Sequence, residues 1–319
     1  MEYNNNMNTS VNNENEIDLS ELISVLWQGK WVIAAVTTIF SIVAVIYSLS
    51  LANIYQSRAI VTPVGESSGG GMSKVMSSMG GIASLAGVNL SSGGSGGNSV
   101  KALEKLKTLS FFENNILPNI FLPDLMAFES WDAKTNRIVY DADMFNDSTQ
   151  TWVRDFQHPR TQIPSPQESF NIFVTHLHVL KDVDTGFVTI AVKHQSPFVA
   201  QEWTDLIINQ LNYFYRTKDK LEAQKAMDFL NIQMAQTSFS EIKLVIAQIL
   251  QQKMQQLTLI EASNFYVFDY IDPPAVMEKK IAPNRSFICF IGAFLGGILG
   301  SLIVVIRYYY MDKKNPESL

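Results

Sequence analysis

Apolar positions along this chain follow three patterns, and each predicts a different kind of element. The first is an unbroken run. Trp31 to Leu51 gives 21 consecutive residues without a charge and Phe287 to Ile306 gives 20. At 1.5 Å per residue each run covers about 30 Å, the thickness of a bilayer's hydrocarbon core. In the second run Gly292, Gly296 and Gly300 recur every four residues, beside Ala293, Gly297 and Ser301. Another backbone can approach such a flat stripe closely, so the stripe predicts a packing face whose partner is unspecified.

The second pattern suits strands. Tyr55 to Val64 is rich in β-compatible residues and closes on Pro63, which reads as an edge strand. Phe187 to Lys193 puts Val188, Ile190 and Val192 on one face. Phe265 to Asp272 reads as a further strand, predicted to pair near Tyr55 to Val64 before the chain passes through Pro273 toward the second apolar run.

The third pattern is helical. Leu19, Leu22, Ile23 and Leu26 form one face of a short helix, with Asp18 and Glu21 at capping-box spacing; Trp27, Lys30 and Trp31 suit the water boundary of a membrane. Leu103, Leu106, Leu109 and Phe112 predict an amphipathic helix from Val100 to Leu117, stopped by Pro118. Gln167 to Leu180 reads as a helix carrying His176 and His178. Ser196 and Pro197 form an N-cap and first-turn pair, and the 65 residues from Phe198 to Ala262 contain neither glycine nor proline. One straight helix of that length would reach ~98 Å, far more than a compact domain needs. Ser238 and Glu241 stand at capping-box spacing, so a second helix is predicted to start there and fold back. The resulting hairpin is asymmetric by ~27 Å, a difference the sequence leaves unexplained.

Composition sharpens this outline. The chain has 319 residues, 47% hydrophobic and only 17% charged, which fits membrane segments joined to a large extramembrane part. A net charge of −6 without a dense basic cluster excludes a nucleic-acid binder. The single cysteine, Cys289, lies inside the second run, so neither an internal disulfide nor a cysteine metal site is expected. Residues 1–16 hold seven asparagines and predict a disordered tail. Residues 65–99 hold 11 glycines and 10 serines and predict a flexible loop; no GxxxxGK[ST] occurs there, so no nucleotide site is assigned. Asp141 and Asp143 superficially match a DxD metal motif but read as a solvated acidic turn, and His176 and His178, two apart, read as surface or packing residues. No catalytic, cofactor-binding or metal residue is nominated, and the chain is not read as an enzyme.

Two spans put both termini on one side. Lys30, Arg307, Lys313 and Lys314 flank that side while Arg58, Lys279, Lys280 and Arg285 flank the other, so positive charge does not decide the orientation. A signal anchor followed by a long translocated loop places the central domain outside the cytoplasm. A cleaved signal peptide, hinted at by Ser50 and Ala52, is disfavoured because the apolar run is too long and its leader is acidic.

The entry IDLSELISVLWQGKW, the strand YQSRAIVTPV, the ending FYVFDYIDPPAVMEKKIAPNR and the striped IGAFLGGILG, in this order and spacing, resemble the polysaccharide co-polymerase family, the Wzz-type chain-length determinants of bacterial O-antigen. The resemblance covers nearly the full chain. One departure is that the family's regularly spaced prolines before the second span are reduced to Pro273, Pro274 and Pro283, with Met277 and Lys280 between them. The resemblance implies an α+β membrane protein: two transmembrane helices flanking a periplasmic α/β base with a long extended helical, coiled-coil hairpin arm. The implied layout is a cytoplasmic tail over 1–16, an interfacial helix over 17–30, spans over 31–51 and 287–306, a periplasmic domain over 52–286 with the arm at 197–262, and a second tail over 307–319. It further implies a homo-oligomer in the bacterial inner membrane that works with the O-antigen polymerase and the nascent polysaccharide to set lipopolysaccharide chain length, without cofactor or catalysis. A capsule or exopolysaccharide co-polymerase is the alternative. Some relatives carry a tyrosine-kinase domain; without a Walker A sequence none is expected here.

Overall fold

The structure is a computed structural model that describes residues 19–64, 95–263 and 265–312. These residues fall into two compact units: one from the two ends of the chain, up to Ala52 and from Ala282 onward, and one from Asn53–Ile281.

The first unit is helical. Helix α1 (Leu19–Gln28) is followed by α2 (Lys30–Ser50), and α8 (Arg285–Asp312) completes the unit. Both α2 and α8 are long and apolar enough to cross a membrane, with hydropathies of 2.4 for Lys30–Ser50 and 2.5 for Arg285–Tyr310. They pack together lengthwise, and α1 rests against α8. Asp18, the expected cap of α1, lies outside the described residues.

The second unit is built on a four-stranded antiparallel sheet in the order β6 (Leu177–Lys181), β7 (Val188–His194), β1 (Tyr55–Pro63), β8 (Phe268–Asp272). Strand β1 is therefore an inner strand and not the expected edge. Its proline is tolerated because pairing with β7 ends at Val61, so Pro63 has a neighbour only in Phe268 of β8. Ala59 and Val61 of β1 and Val188, Ile190 and Val192 of β7 are fully buried.

What covers them is the start of α6 (Pro197–Gln236), capped by Ser196, whose side chain accepts from the Val199 N–H. Val199, Trp203, Ile207, Ile208 and Leu211 are buried at helical spacing, and each such side chain contributes about 1.5–3 kcal/mol. After Tyr215 burial becomes sparse. The chain breaks at Thr237–Phe239 and returns as α7 (Ser240–Ala262). The residue before α7 is Phe239, with no side-chain cap, so the anticipated Ser238 and Glu241 box does not form.

The unequal arms now have a physical reason. Helix α6 has 40 residues and α7 has 23. The excess, ~26 Å at helical rise, is the Pro197–Tyr215 stretch that roofs the sheet before the hairpin proper begins.

Elsewhere tertiary context overrode local pattern. The helix expected over Val100 to Leu117 is broken. Helix α3 (Ser95–Leu106) ends where the Thr108 hydroxyl donates to the Lys105 carbonyl and accepts from the Phe111 N–H. A short turn, Leu109–Phe111, and a wide π-turn, Phe112–Ile116, then bury Phe111, Phe112 and Ile116. The last five residues of the expected 65–99 loop are the first turn of α3; residues 65–94 lie outside those described. The helix expected over Gln167 to Leu180 stops at His176. Helix α5 (Pro166–His176) is opened by a Ser165 and Glu168 capping box, and Leu177–Lys181 joins β7 as a strand because its alternating Leu177 and Val179 can reach the core. Between these, α4 (Leu122–Met126) and two small hairpins, β2 (Phe128–Asp132) with β3 (Arg137–Tyr140) and β4 (Phe145–Asn146) with β5 (Thr151–Trp152), were not anticipated.

Candidate functional site

Gly292, Gly296 and Gly300 all face α2. A Cβ at Gly296 would sit 2.9 Å from the Thr37 Cα and 2.8 Å from the Phe40 Cβ; one at Gly300 would sit 3.0 Å from the Ile33 Cα. At Gly292 an added Cβ would overlap that of Ala44. Ile33, Thr37, Phe40 and Ala44 thus form a row that runs antiparallel to the glycines. One step further along α8 the relation inverts: Val304, four residues after Gly300, fills the space over Gly29, where a side chain would collide with it. The stripe therefore has a partner within the same chain, and the backbones meet at separations only glycine permits. The hydroxyls of Thr37, Ser41 and Ser301 donate to carbonyls of their own helices at 2.8 Å, so they add no polar bridge between the two.

Pro273 and Pro274 directly follow β8, and Pro283 lies two residues before α8. Between them the chain runs back beside the start of β1. The buried Ser57 hydroxyl donates to the Ala275 carbonyl at 2.9 Å, the Ile281 N–H donates to the Ile54 carbonyl at 2.8 Å, and Lys280 Nζ donates to Asn53 Oδ1 at 2.8 Å. Hydrogen bonds to β1 and to the residues just before it hold this segment in place.

Where α7 returns to the sheet, one residue dominates. Asn212 of α6 is 7% exposed, and its Oδ1 accepts three successive backbone N–H groups, from Tyr266 at 3.2 Å, Val267 at 2.8 Å and Phe268 at 2.9 Å. Its Nδ2 donates to the Phe268 carbonyl at 2.9 Å. The residue opposite Phe268 in β1 is Pro63, which has no N–H to offer, and Asn212 supplies a donor there. Around this knot the Tyr266 hydroxyl donates to Asp219 at 2.6 Å and the Tyr270 hydroxyl to Asp205 at 2.9 Å. Burial and the adjacent carboxylates push both phenols well above their ordinary pKa. Arg216 donates to the Glu261 carbonyl at 3.0 Å, and Lys220 pairs with the Glu261 carboxylate, holding it below the usual range by hydrogen bond and charge. Sequence reasoning missed Asn212. Its signal was an amide side chain four positions after Ile208 and three before Tyr215, on the buried face of the helix.

The other candidate chemistry resolves into structure. Asp141 Oδ1 accepts from the Asp143 N–H at 2.9 Å and closes a turn. His178 lies on β6, whereas His176, the last residue of α5, donates from Nδ1 to the Lys193 carbonyl at 2.7 Å. The ring beside His176 is that of His194, with centroids 5.8 Å apart.

With this geometry in view, residues 15–104 match the profile of the family described as "Wzz: Chain length determinant protein". The resemblance is to Wzz. The Wzz-like stretch includes α1, α2, β1 and most of α3, so it enters both units; the arm and the second span lie beyond it. No curated protein matches the chain. Among solved structures, one described as "full-length bacterial polysaccharide co-polymerase" aligns over 96% of this chain and 100% of its own, at 14% identity and a TM-score of 0.41.

Proposed function

We propose that this chain is a bacterial inner-membrane regulator of O-antigen chain length, a homo-oligomeric scaffold that acts beside the O-antigen polymerase on the nascent polysaccharide and catalyses no transfer itself. The match of residues 15–104 to the Wzz family carries this reading. In it α2 and α8 cross the membrane, both termini are cytoplasmic, and Asn53–Ile281 stands in the periplasm with the α6 and α7 hairpin as its arm. The glycine stripe supports the span pair from within each protomer, which leaves the outward faces of α2 and α8 for neighbouring copies and the polymerase.

The deciding experiment is a lipopolysaccharide ladder from a deletion strain complemented with the full chain. Loss of a modal cluster on deletion, and its return on complementation, supports the reading. An unchanged ladder with altered capsule or exopolysaccharide length moves the polymer assignment to those glycans; no change in any of them rejects length control.

A further inference from the structure

His194 ends β7 inside the second unit and is 3% exposed. Its two ring nitrogens hold two different elements. Nδ1 accepts the Ser196 N–H at 3.0 Å, at the cap of α6, so the ring proton sits on Nε2, which points to the Asp124 carbonyl of α4 at 3.2 Å. Phe128 and Trp203 wall the ring, with centroids at 4.4 and 5.4 Å. A second ring proton would have to be placed on Nδ1, head to head with the Ser196 N–H, which is itself a donor. The neutral ring satisfies the site and the charged ring breaks its bond to the α6 cap.

We propose that His194 is an acid-released latch: neutral, it fastens α4 to the start of α6; protonated, it lets the α4 and β2–β3 layer loosen from the helix that carries the arm. The groups around it make the sign definite. Burial, reinforced by the charge of His176 on α5, pushes the His194 pKa down to about 4, so neutral His194 is favoured in the folded unit. Stability from this group is present above the unfolded value and is lost as pH falls from about 6.5 toward 4. His178 on β6 is shifted down by burial, Lys193 and His176, and acts in the same direction. Asp124 acts oppositely: burial raises its carboxyl while the Tyr140 hydroxyl bonds it and Glu202 of α6 faces it, so its protonation in acid favours the fold.

The test is hydrogen exchange by mass spectrometry on the full-length protein in lipid nanodiscs, corrected for intrinsic rates, near pH 7 and near pH 4.5. Exchange in peptides covering Leu122–Tyr140 and Gln195–Val199 is expected to rise at least about tenfold in acid, while peptides over Tyr266–Asp272 hold their protection. His194→Asn, whose amide can accept and donate but carries no charge, is expected to abolish the rise. His176→Gln removes the neighbouring positive charge, brings the folded His194 pKa back toward its ordinary value and is expected to make the acid rise smaller. Unchanged protection across the two pH values overturns the latch, as does an acid response of full size in His194→Asn. Should that variant fail to fold, an acid rise left at full size by His176→Gln overturns it instead.

Discussion

Among the described residues two antiparallel helix pairs stand out, and they are held together by opposite means. In α2 and α8 the contact is made by what is missing: glycines let Thr37, Phe40 and Ile33 approach the opposing backbone, and the large side chains Phe290, Phe294, Ile298 and Leu302 point away and stay exposed. In α6 and α7 the contact is made by side chains, with Ala223, Ile246 and Ile260 buried between helices, and polar bonds concentrate at one end around Asn212 and Glu261. In lipid, where we propose that α2 and α8 lie, helices have no hydrophobic reason to associate, so shape and close dispersion contacts must do it. Water supplies that reason, and the residual task in the arm is to fix where the return strand begins.

Breaking the root of the arm is expected to have the largest effect. Asn212→Leu leaves three N–H groups and one carbonyl without their partner in a buried site, and should destabilise the second unit by about 4 kcal/mol or more, read by denaturant titration of the full-length protein. A loss below about 1 kcal/mol would show that water reaches the knot. Next comes the span pair: Gly296→Leu is expected to cost about 3 kcal/mol through overpacking and to lower the melting temperature in detergent. The sharper form of this prediction is an exchange. Gly292→Ala should destabilise alone, and Ala44→Gly added to it should restore the loss, because the two Cβ positions overlap; additive losses would contradict the antiparallel register. Tyr270→Phe, which leaves Asp205 without its hydroxyl donor, should cost about 1 kcal/mol. Lys220→Ala removes an exposed ion pair and should change stability by less than about 1 kcal/mol, an effect that shrinks further in high salt.

The spans and inner strands were legible because each follows one period over many residues: 21 and 20 uncharged residues, or Val188, Ile190 and Val192 in alternation. Leu177–Lys181 also alternates, but five residues after a helical face were too few to separate from that face, and pairing with β7 settled the matter. The partner of the glycine stripe was illegible in principle. A stripe reports that some backbone comes close, and only the register of α2 against α8 identifies it; the sole hint was Gly29, isolated at the start of the first apolar run. The knot at Asn212 needed the strand partner as well, since nothing near position 212 announces that Pro63, about 150 residues earlier, lacks a donor.

Continuity of α6 from the sheet roof into the hairpin gives the molecule a mechanical property. The same helix is clamped to the sheet over Pro197–Tyr215 and extends beyond it beside α7, so it is a cantilever with ~32 Å of overhang from Tyr215 to Gln236. A rotation of about 5° in the roof, the scale of a small repacking beneath Trp203 and Ile207, swings the far end by ~3 Å. Displacements too small to alter the core are thereby converted into motion on the scale of a hydrogen bond at the break around Phe239.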